Sequence, residues 1–323
     1  MFLLHPSIFL WDLTILLLIS FGLCIAIICT VWCKQNPTKH IFKKGCVGFL
    51  GFAGFIGFLL TAYGSFVEPR LITLNEYDVH LPLRTPLKIA VLSDLHVGPY
   101  KGKLFLERVV ERTNELLPDL VLLLGDFIFD PDVDLSAFSP LGNLHPSIGT
   151  YAVLGNHDQG QYQSIFGKRI IRPDLGDNVS MALSDLGITV LRNEHVTIPI
   201  VDESLVLAGI DDIWTAEADL DSAFADVSPY TPLILLVHNP SIVDDPQSRA
   251  AHLIVAGHTH GGQIRLPWIG PIPPLPTTLG PSVDQGIFPI DTDSTLAITR
   301  GIGETNARAR LFAPPEIMLL HVR

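Results

Sequence analysis

Residues 253–263 read Leu253-Ile254-Val255-Ala256-Gly257-His258-Thr259-His260-Gly261-Gly262-Gln263. The apolar run is too short for a helix and has the composition of a buried strand. Two histidines follow it at i and i+2. Beyond a strand end the chain turns, so neutral imidazoles at that spacing can face one point, which suits metal binding. The glycines let backbone come close to that point. A His-x-His pair alone reads equally well as two surface histidines. Repetition decides the matter, because four other apolar runs end in residues of the same kind.

Working outward, Leu87–Leu92 is followed by Ser93-Asp94-Leu95-His96, and Leu120–Leu124 by Gly125-Asp126. Tyr151–Leu154 leads into Gly155-Asn156-His157-Asp158, and Leu233–Val237 into His238-Asn239. In open α/β sheets, ligands gather at the carboxyl ends of strands. One such end is ordinarily a capped turn, since Asp and Asn favour turns. Five in succession point to a shared site. Carboxylate, imidazole and amide oxygen without sulfur suit Mn, Fe, Zn or Co better than Ca or soft metals. Seven side chains exceed one tetrahedral site and suit two metals sharing a carboxylate.

The intervening pattern is α/β. Residues 101–117 read as an amphipathic helix, residues 179–187 as a second, and 216–226 as a short acidic one. Strands are expected at 188–191, 195–201, 205–210, 295–299 and 316–322. Residues 159–178 break the rhythm, and 67–86, with Pro69, Pro82 and Pro86, read as a connector. Asp211 and Asp212 also follow a strand; a turn or a loop hydrogen bond is the expected role. His5, His40, His80, His145, His195, His252 and His321 have no partner pattern and are read as structural or surface residues.

Residues 13–32 carry no charge and are long enough to cross a bilayer. Residues 45–66 form a second uncharged run, and Lys34, Lys39, Lys43 and Lys44 lie between the two. Residues 1–66 therefore read as a membrane anchor of one or two hydrophobic helices. The basic loop should stay cytoplasmic. Two full spans would put the remainder of the chain outside; one span would keep it inside. The second run, with Gly45, Gly48, Gly51, Gly54 and Gly57, is either a tightly packed span or a helix lying in the interface. The formal charge of −12 divides into four lysines against one acid before residue 67 and so −15 beyond it. That acidity argues against a nucleic-acid-binding surface. The four cysteines, Cys24, Cys29, Cys33 and Cys46, lie in or beside the apolar runs, so the rest of the chain has no disulfide framework and no thiolate zinc site.

The order Asp-x-His, Gly-Asp, Gly-Asn-His-Asp, His, Gly-His-x-His resembles the calcineurin-like metallophosphoesterase superfamily over residues 87–265. The resemblance implies a four-layer α-β-β-α sandwich across residues 87–323. It implies one divalent ion held by Asp94, His96 and His260, a second held by Asn156, His238 and His258, and Asp126 bridging them. Manganese is expected, with Fe, Zn or Co as alternatives. His157 would face the substrate as acid or transition-state stabiliser, with Asp158 orienting it. Two cations about 3.5–4 Å apart can clamp a phosphoryl group and acidify a water.

The run Gly261-Gly262-Gln263-Ile264-Arg265-Leu266-Pro267-Trp268 and the C-terminal Arg300-Gly301-Ile302-Gly303 and Arg310–Ile317 segments look like the membrane-anchored branch of that superfamily. Its members include bacterial phosphodiesterases and an enzyme that cleaves the pyrophosphate of UDP-2,3-diacylglucosamine in lipid A synthesis. The resemblance to that enzyme implies a lipid or lipid-nucleotide substrate, with no protein partner. It also implies a bacterial inner-membrane location, with the catalytic part on the cytoplasmic side. Arg169, Arg172, Trp268 and Arg310 are the expected substrate contacts.

Overall fold

The computed structural model describes residues 6–164, 167–170, 172–305 and 307–323, and, within those, the side chains other than those of 6–9 and 161–170. Helices α1 (Pro6–Gln35) and α2 (Ile41–Phe66) come first. Both are long and apolar enough to cross a membrane. They form a hairpin whose close approach depends on small residues. A Cβ on Gly54 would lie 2.8 Å from Ile25 Cγ2 and 2.9 Å from the Gly22 carbonyl oxygen. Gly51 meets Cys29 in the same way, whereas Gly45, Gly48 and Gly57 face open space. The regular glycine spacing of the second run thus divides between a packed face and a free one.

The globular part follows with β1 (Thr73–Val79), β2 (Leu87–Leu92), α3 (Lys103–Glu115), β3 (Leu120–Leu124) and β4 (Gly149–Val153). Next come a hairpin, β5 (Gln161–Ser164) and β6 (Gly167–Ile170), then α4 (Leu175–Ser184) and β7 (Thr189–Val190). The second half contains β8 (Glu194–Ile200), β9 (Glu203–Gly209), α5 (Leu220–Ala223), β10 (Leu233–Leu236) and β11 (Leu253–Ala256). The small hairpin β12 (Arg265–Leu266) and β13 (Gly270–Pro271) precedes β14 (Gly286–Pro289), β15 (Thr295–Ile298) and β16 (Glu316–Val322).

Two six-stranded mixed sheets result, in the orders β1-β16-β2-β3-β4-β7 and β14-β15-β11-β10-β9-β8. Their central strands are parallel and apolar on both faces, as strands covered on both sides must be. Side chains alternate with period two. Ile89, Val91, Leu122 and Leu124 meet Ile234, Leu236, Leu253 and Val255 between the sheets. Ala90, Leu92, Val121 and Leu123 face α3 and α4 on one outer side. Leu235, Ile254 and Ala256 face α5 and flanking turns on the other.

The four layers are therefore present, but the fourth is thin. The helix expected over 216–226 is only Leu220–Ala223. The stretch 67–86 holds β1, paired in parallel with β16 at the sheet edge. Its half-buried and exposed positions alternate and only Val79 is buried, so its apolar signal is weak. The irregular stretch at 159–178 contains the β5–β6 hairpin and the start of α4.

Candidate metal centre

The carboxyl ends of β2, β3, β4, β10 and β11 point to one edge, where the two sheets meet. Each places a polar residue at the turn that follows it. Local backbone strain accompanies this. Asp94, His96, Asp126, His258 and His260 all have positive φ, between 43° and 67°. Outside glycine such conformations cost about 1–3 kcal/mol each and persist where surrounding structure over-determines them. Close packing enforces the turns. A Cβ on Gly257 would overlap Ser93 Oγ and lie 2.7 Å from Asp94 Oδ2.

Three groups of side chains could hold a metal ion: Asp94 with His96 and His260; His96 with Asp126 and His157; and Asp126 with His238 and His258. His260 Nε2 is 3.2 Å from Asp94 Oδ1 and 3.3 Å from His96 Nε2. Asp126 Oδ2 is 3.2 Å from His238 Nε2 and 3.5 Å from His96 Nε2, so its carboxylate stands between the two ends of the cluster. Its other oxygen accepts the His157 amide at 3.0 Å. His258 Nδ1 faces His238 Nε2 at 2.9 Å. Asn156 is buried in the turn after β4.

The donor set fits cations. His96 Nδ1 faces the Ile128 carbonyl at 3.2 Å, His238 Nδ1 that of Leu124 at 2.7 Å, and His260 Nδ1 that of Gly303 at 3.3 Å. A carbonyl partner places the imidazole proton on Nδ1 and leaves the Nε2 lone pair aimed inward. Two such lone pairs, on His96 and His260, then lie 3.3 Å apart, an arrangement that a cation between them relieves. His258 Nε2 is buried and makes no hydrogen bond among the described residues.

Electrostatics agree for His96 and His260, whereas at His238 burial is outweighed by the adjoining Asp126 carboxylate, which raises the pKa well above its usual value. Burial, helped by nearby His157, pushes the His96 pKa down to about 3. Burial pushes His260 down to about 3 as well, against the pull of Asp94. Both are neutral imidazoles at pH 7, able to offer a lone pair to a cation. Burial alone would raise the Asp126 pKa; His238, His157 and His96 outweigh it and hold the carboxylate well below its usual range.

The expected contacts fare differently. His157 is only partly buried, with its ring 4.8 Å from that of His96. Asp158 was expected to orient His157. Its carboxylate is instead taken up by the backbone amides of Phe127, Ile128 and Gly155 at 2.8, 3.2 and 2.9 Å, clamping the turns after β3 and β4 together. Burial and the neighbouring Asp126 push its pKa up to about 8, with the amides pulling the other way.

Arg310, an expected substrate contact, is fully buried. Its guanidinium donates to the carbonyls of Arg300, Gly301, Gly303, Ala313 and His260. No N–H is left for phosphate, and the residue is a clamp behind His260. Trp268 is fully exposed on the β12–β13 loop. Arg172 is half-exposed, with Nε 3.4 Å from Asp174 Oδ1. The side chain of Arg169 lies outside the described residues.

The roles of two residues were not assigned from the sequence. Trp214 stands edge-on to His258, ring centroids 4.5 Å apart. It follows Asp212, whose carboxylate accepts the Trp214 amide at 2.8 Å, so the Asp-Asp turn after β9 serves to place that indole. Gln263 ties the His-x-His turn to the C-terminal loop, donating to the Thr305 and Ala307 carbonyls and accepting the Thr305 amide. A lone Trp and a lone Gln carry no sequence signal for such roles.

This fold, with a buried cluster able to hold two metals at the strand ends, defines a metallohydrolase. The model of the calcineurin-like phosphoesterase family matches residues 87–262, and the chain belongs to that family. An uncharacterized metallophosphoesterase of Bacillus subtilis, YkuE, is 30% identical over 298 residues, 90% of this chain and 99% of its own. The UDP-2,3-diacylglucosamine pyrophosphatase LpxG of Chlamydia trachomatis is 27% identical over 81% of this chain and 92% of its own. The phosphodiesterase YaeI of Escherichia coli is 29% identical over 73% and 82%. The chain is a hydrolase and associates with a membrane.

Proposed function

We propose that this chain is a membrane-anchored, dinuclear-metal hydrolase whose substrate is UDP-2,3-diacylglucosamine. It cleaves the pyrophosphate to 2,3-diacylglucosamine 1-phosphate and UMP on the cytoplasmic side of a bacterial inner membrane, as a step of lipid A synthesis. The observation that carries the hydrolase chemistry is the shared position of Asp126 between the two histidine groups. Support for the lipid nucleotide is the similarity to LpxG along nearly all of that protein's length.

Asp94, His96 and His260 would hold one ion, Asn156, His238 and His258 the other, with Asp126 common to both. Two divalent ions, manganese first, would supply Lewis acidity toward the phosphoryl oxygens and the attacking water. The chain's own residues do the rest. Asp94 and Asp126 bring negative charge into a buried cluster of imidazoles, of which His96, His258 and His260 are held neutral by burial. His157, fixed through its amide on Asp126 and only partly buried, delivers a proton to the leaving oxygen. The clamps at Asp158 and Arg310 keep the turns rigid.

A second reading is a phosphodiesterase facing outward on another lipid or envelope phosphodiester. The packed hairpin favours it, because two full spans with the basic loop inside place the globular part outside. A C-terminal reporter enzyme reads the side directly. Turnover of UDP-2,3-diacylglucosamine with added Mn²⁺, measured beside an aryl phosphodiester, tests the substrate. Negligible release of UMP, or an extracytoplasmic reporter signal, would overturn the lipid A assignment and leave the second reading.

A further inference from the structure

The β12–β13 hairpin has a tip of unusual chemistry. Its three-residue loop, Pro267-Trp268-Ile269, leaves Trp268 fully exposed and Ile269 71% exposed. Trp268 sits at φ +65°, a conformation a bulky side chain rarely adopts without external reason. Leu266 and Phe312 are exposed beside the loop. A tryptophan and an isoleucine presented together to water form a contact surface in search of an apolar partner.

The hairpin's base lies next to the membrane helices. The Arg310 amide donates to the Gly64 carbonyl in the last turns of α2 at 2.8 Å, and a Cβ on Gly64 would come within 3.0 Å of the Arg310 carbonyl oxygen. The next residue, Leu311, bridges to Ile264; its amide donates to Gln263, and its carbonyl accepts the Arg265 amide. One strand spacing, about 4.8 Å, therefore separates the segment against α2 from the root of the hairpin. At the same end, Asp12 of α1 pairs with Arg308 at 2.8 Å. From Asp12 to Lys34 the helix is uncharged, roughly 30 Å of rise. The Asp12–Arg308 pair thus marks one surface of the bilayer, and Phe66 is exposed beside it.

We propose that the β12–β13 loop seats in the lipid interface at this surface, with Trp268 and Ile269 among the headgroups and upper acyl chains. Tryptophan is suited to that depth, having an apolar body and a polar N–H. The loop is rigidly linked to the metal centre. Arg265 pairs with Asp284 and donates to the Gly261 carbonyl, one residue from His260. Seating the loop fixes the height and tilt of the metal site over the membrane, so that a phosphorus atom at the lipid surface needs no extraction. The inference rests on both helices crossing the membrane, the topology of the outward-facing reading, and is independent of which phosphoester is cleaved.

The test uses the full chain in phosphatidylethanolamine–phosphatidylglycerol vesicles, with Trp11, Trp32 and Trp214 changed to Phe so that Trp268 alone fluoresces. Expected are a blue-shifted emission, strong quenching by lipids brominated near the headgroup, weaker quenching by lipids brominated near the chain terminus, and protection from iodide. A water-like emission, open to iodide and indifferent to brominated lipid, overturns the proposal and leaves a protein partner as the occupant. Should the triple variant fold poorly, the difference spectrum between the wild-type chain and Trp268→Phe gives the same readout.

Discussion

Replacing Arg310 with lysine separates two roles that the same residue could have. As a phosphate contact, the lysine would keep the charge, and the chief loss would be in KM. As the clamp seen in the structure, the cost falls on stability. The guanidinium serves five carbonyls, those of Arg300, Gly301, Gly303, Ala313 and His260. An ammonium has three hydrogens, so at least two buried carbonyls lose a charge-assisted bond. At about 1.5–3 kcal/mol each, the loss is about 3–6 kcal/mol, a large part of a typical total of about 5–15 kcal/mol. For a domain of this size, at about 2–4 °C per kcal/mol, that lowers Tm by roughly 6–24 °C. Thermal unfolding of the detergent-solubilised chain measures it, alongside KM for an aryl phosphodiester well below the transition. An unchanged Tm with a clearly raised KM would refute the clamp and restore the phosphate contact.

The His157→Ala variant should retain its metals by elemental analysis and lose turnover by about 10²–10⁴-fold, as removal of a general acid does; loss of metal instead would make His157 a ligand. Chelation should lower Tm, because it restores the apposed lone pairs of His96 and His260, and added Mn²⁺ should reverse the shift; an indifferent Tm would mean the cluster is self-sufficient. Lys101 gives a pH signature. Burial lowers its pKa to about 8, against the pull of Glu304, from the usual 10.5. Between those values the unfolded chain binds the extra proton, so this residue's contribution to stability rises with pH from about 8 to about 10.5. Comparing Tm against pH for the wild-type chain and Lys101→Met should show that rise only in the former.

The residues of the buried cluster were legible because the strands before them are buried on both faces and short, which makes each one stand out as an apolar run with a sharp end. The roles of Arg310 and Asp158 were not. Both are charged residues near the motifs, and charge near a motif reads as chemistry. In each case the partners are backbone groups from distant turns, such as Phe127 and Gly155 for Asp158, and backbone groups have no letter in a sequence. The strand at Thr73–Val79 was lost for another reason: an edge strand with one wet face needs half its residues polar, and it then resembles a linker.

By itself, then, the order of residues determined the α/β class, two runs apolar enough to cross a membrane and the acidic and histidine side chains that gather at the strand ends, because these depend on local periodicity and on side-chain type. Tertiary structure decided which charged groups face the centre and which hold it from behind, how Trp214 comes to stand against His258, and where the Trp268 loop lies relative to the helices. Those are matters of distance between residues far apart along the chain, from Gly64 to Arg310 or from Asp12 to Arg308. Such distances arise only when the two sheets close on each other and the hairpin packs at their edge.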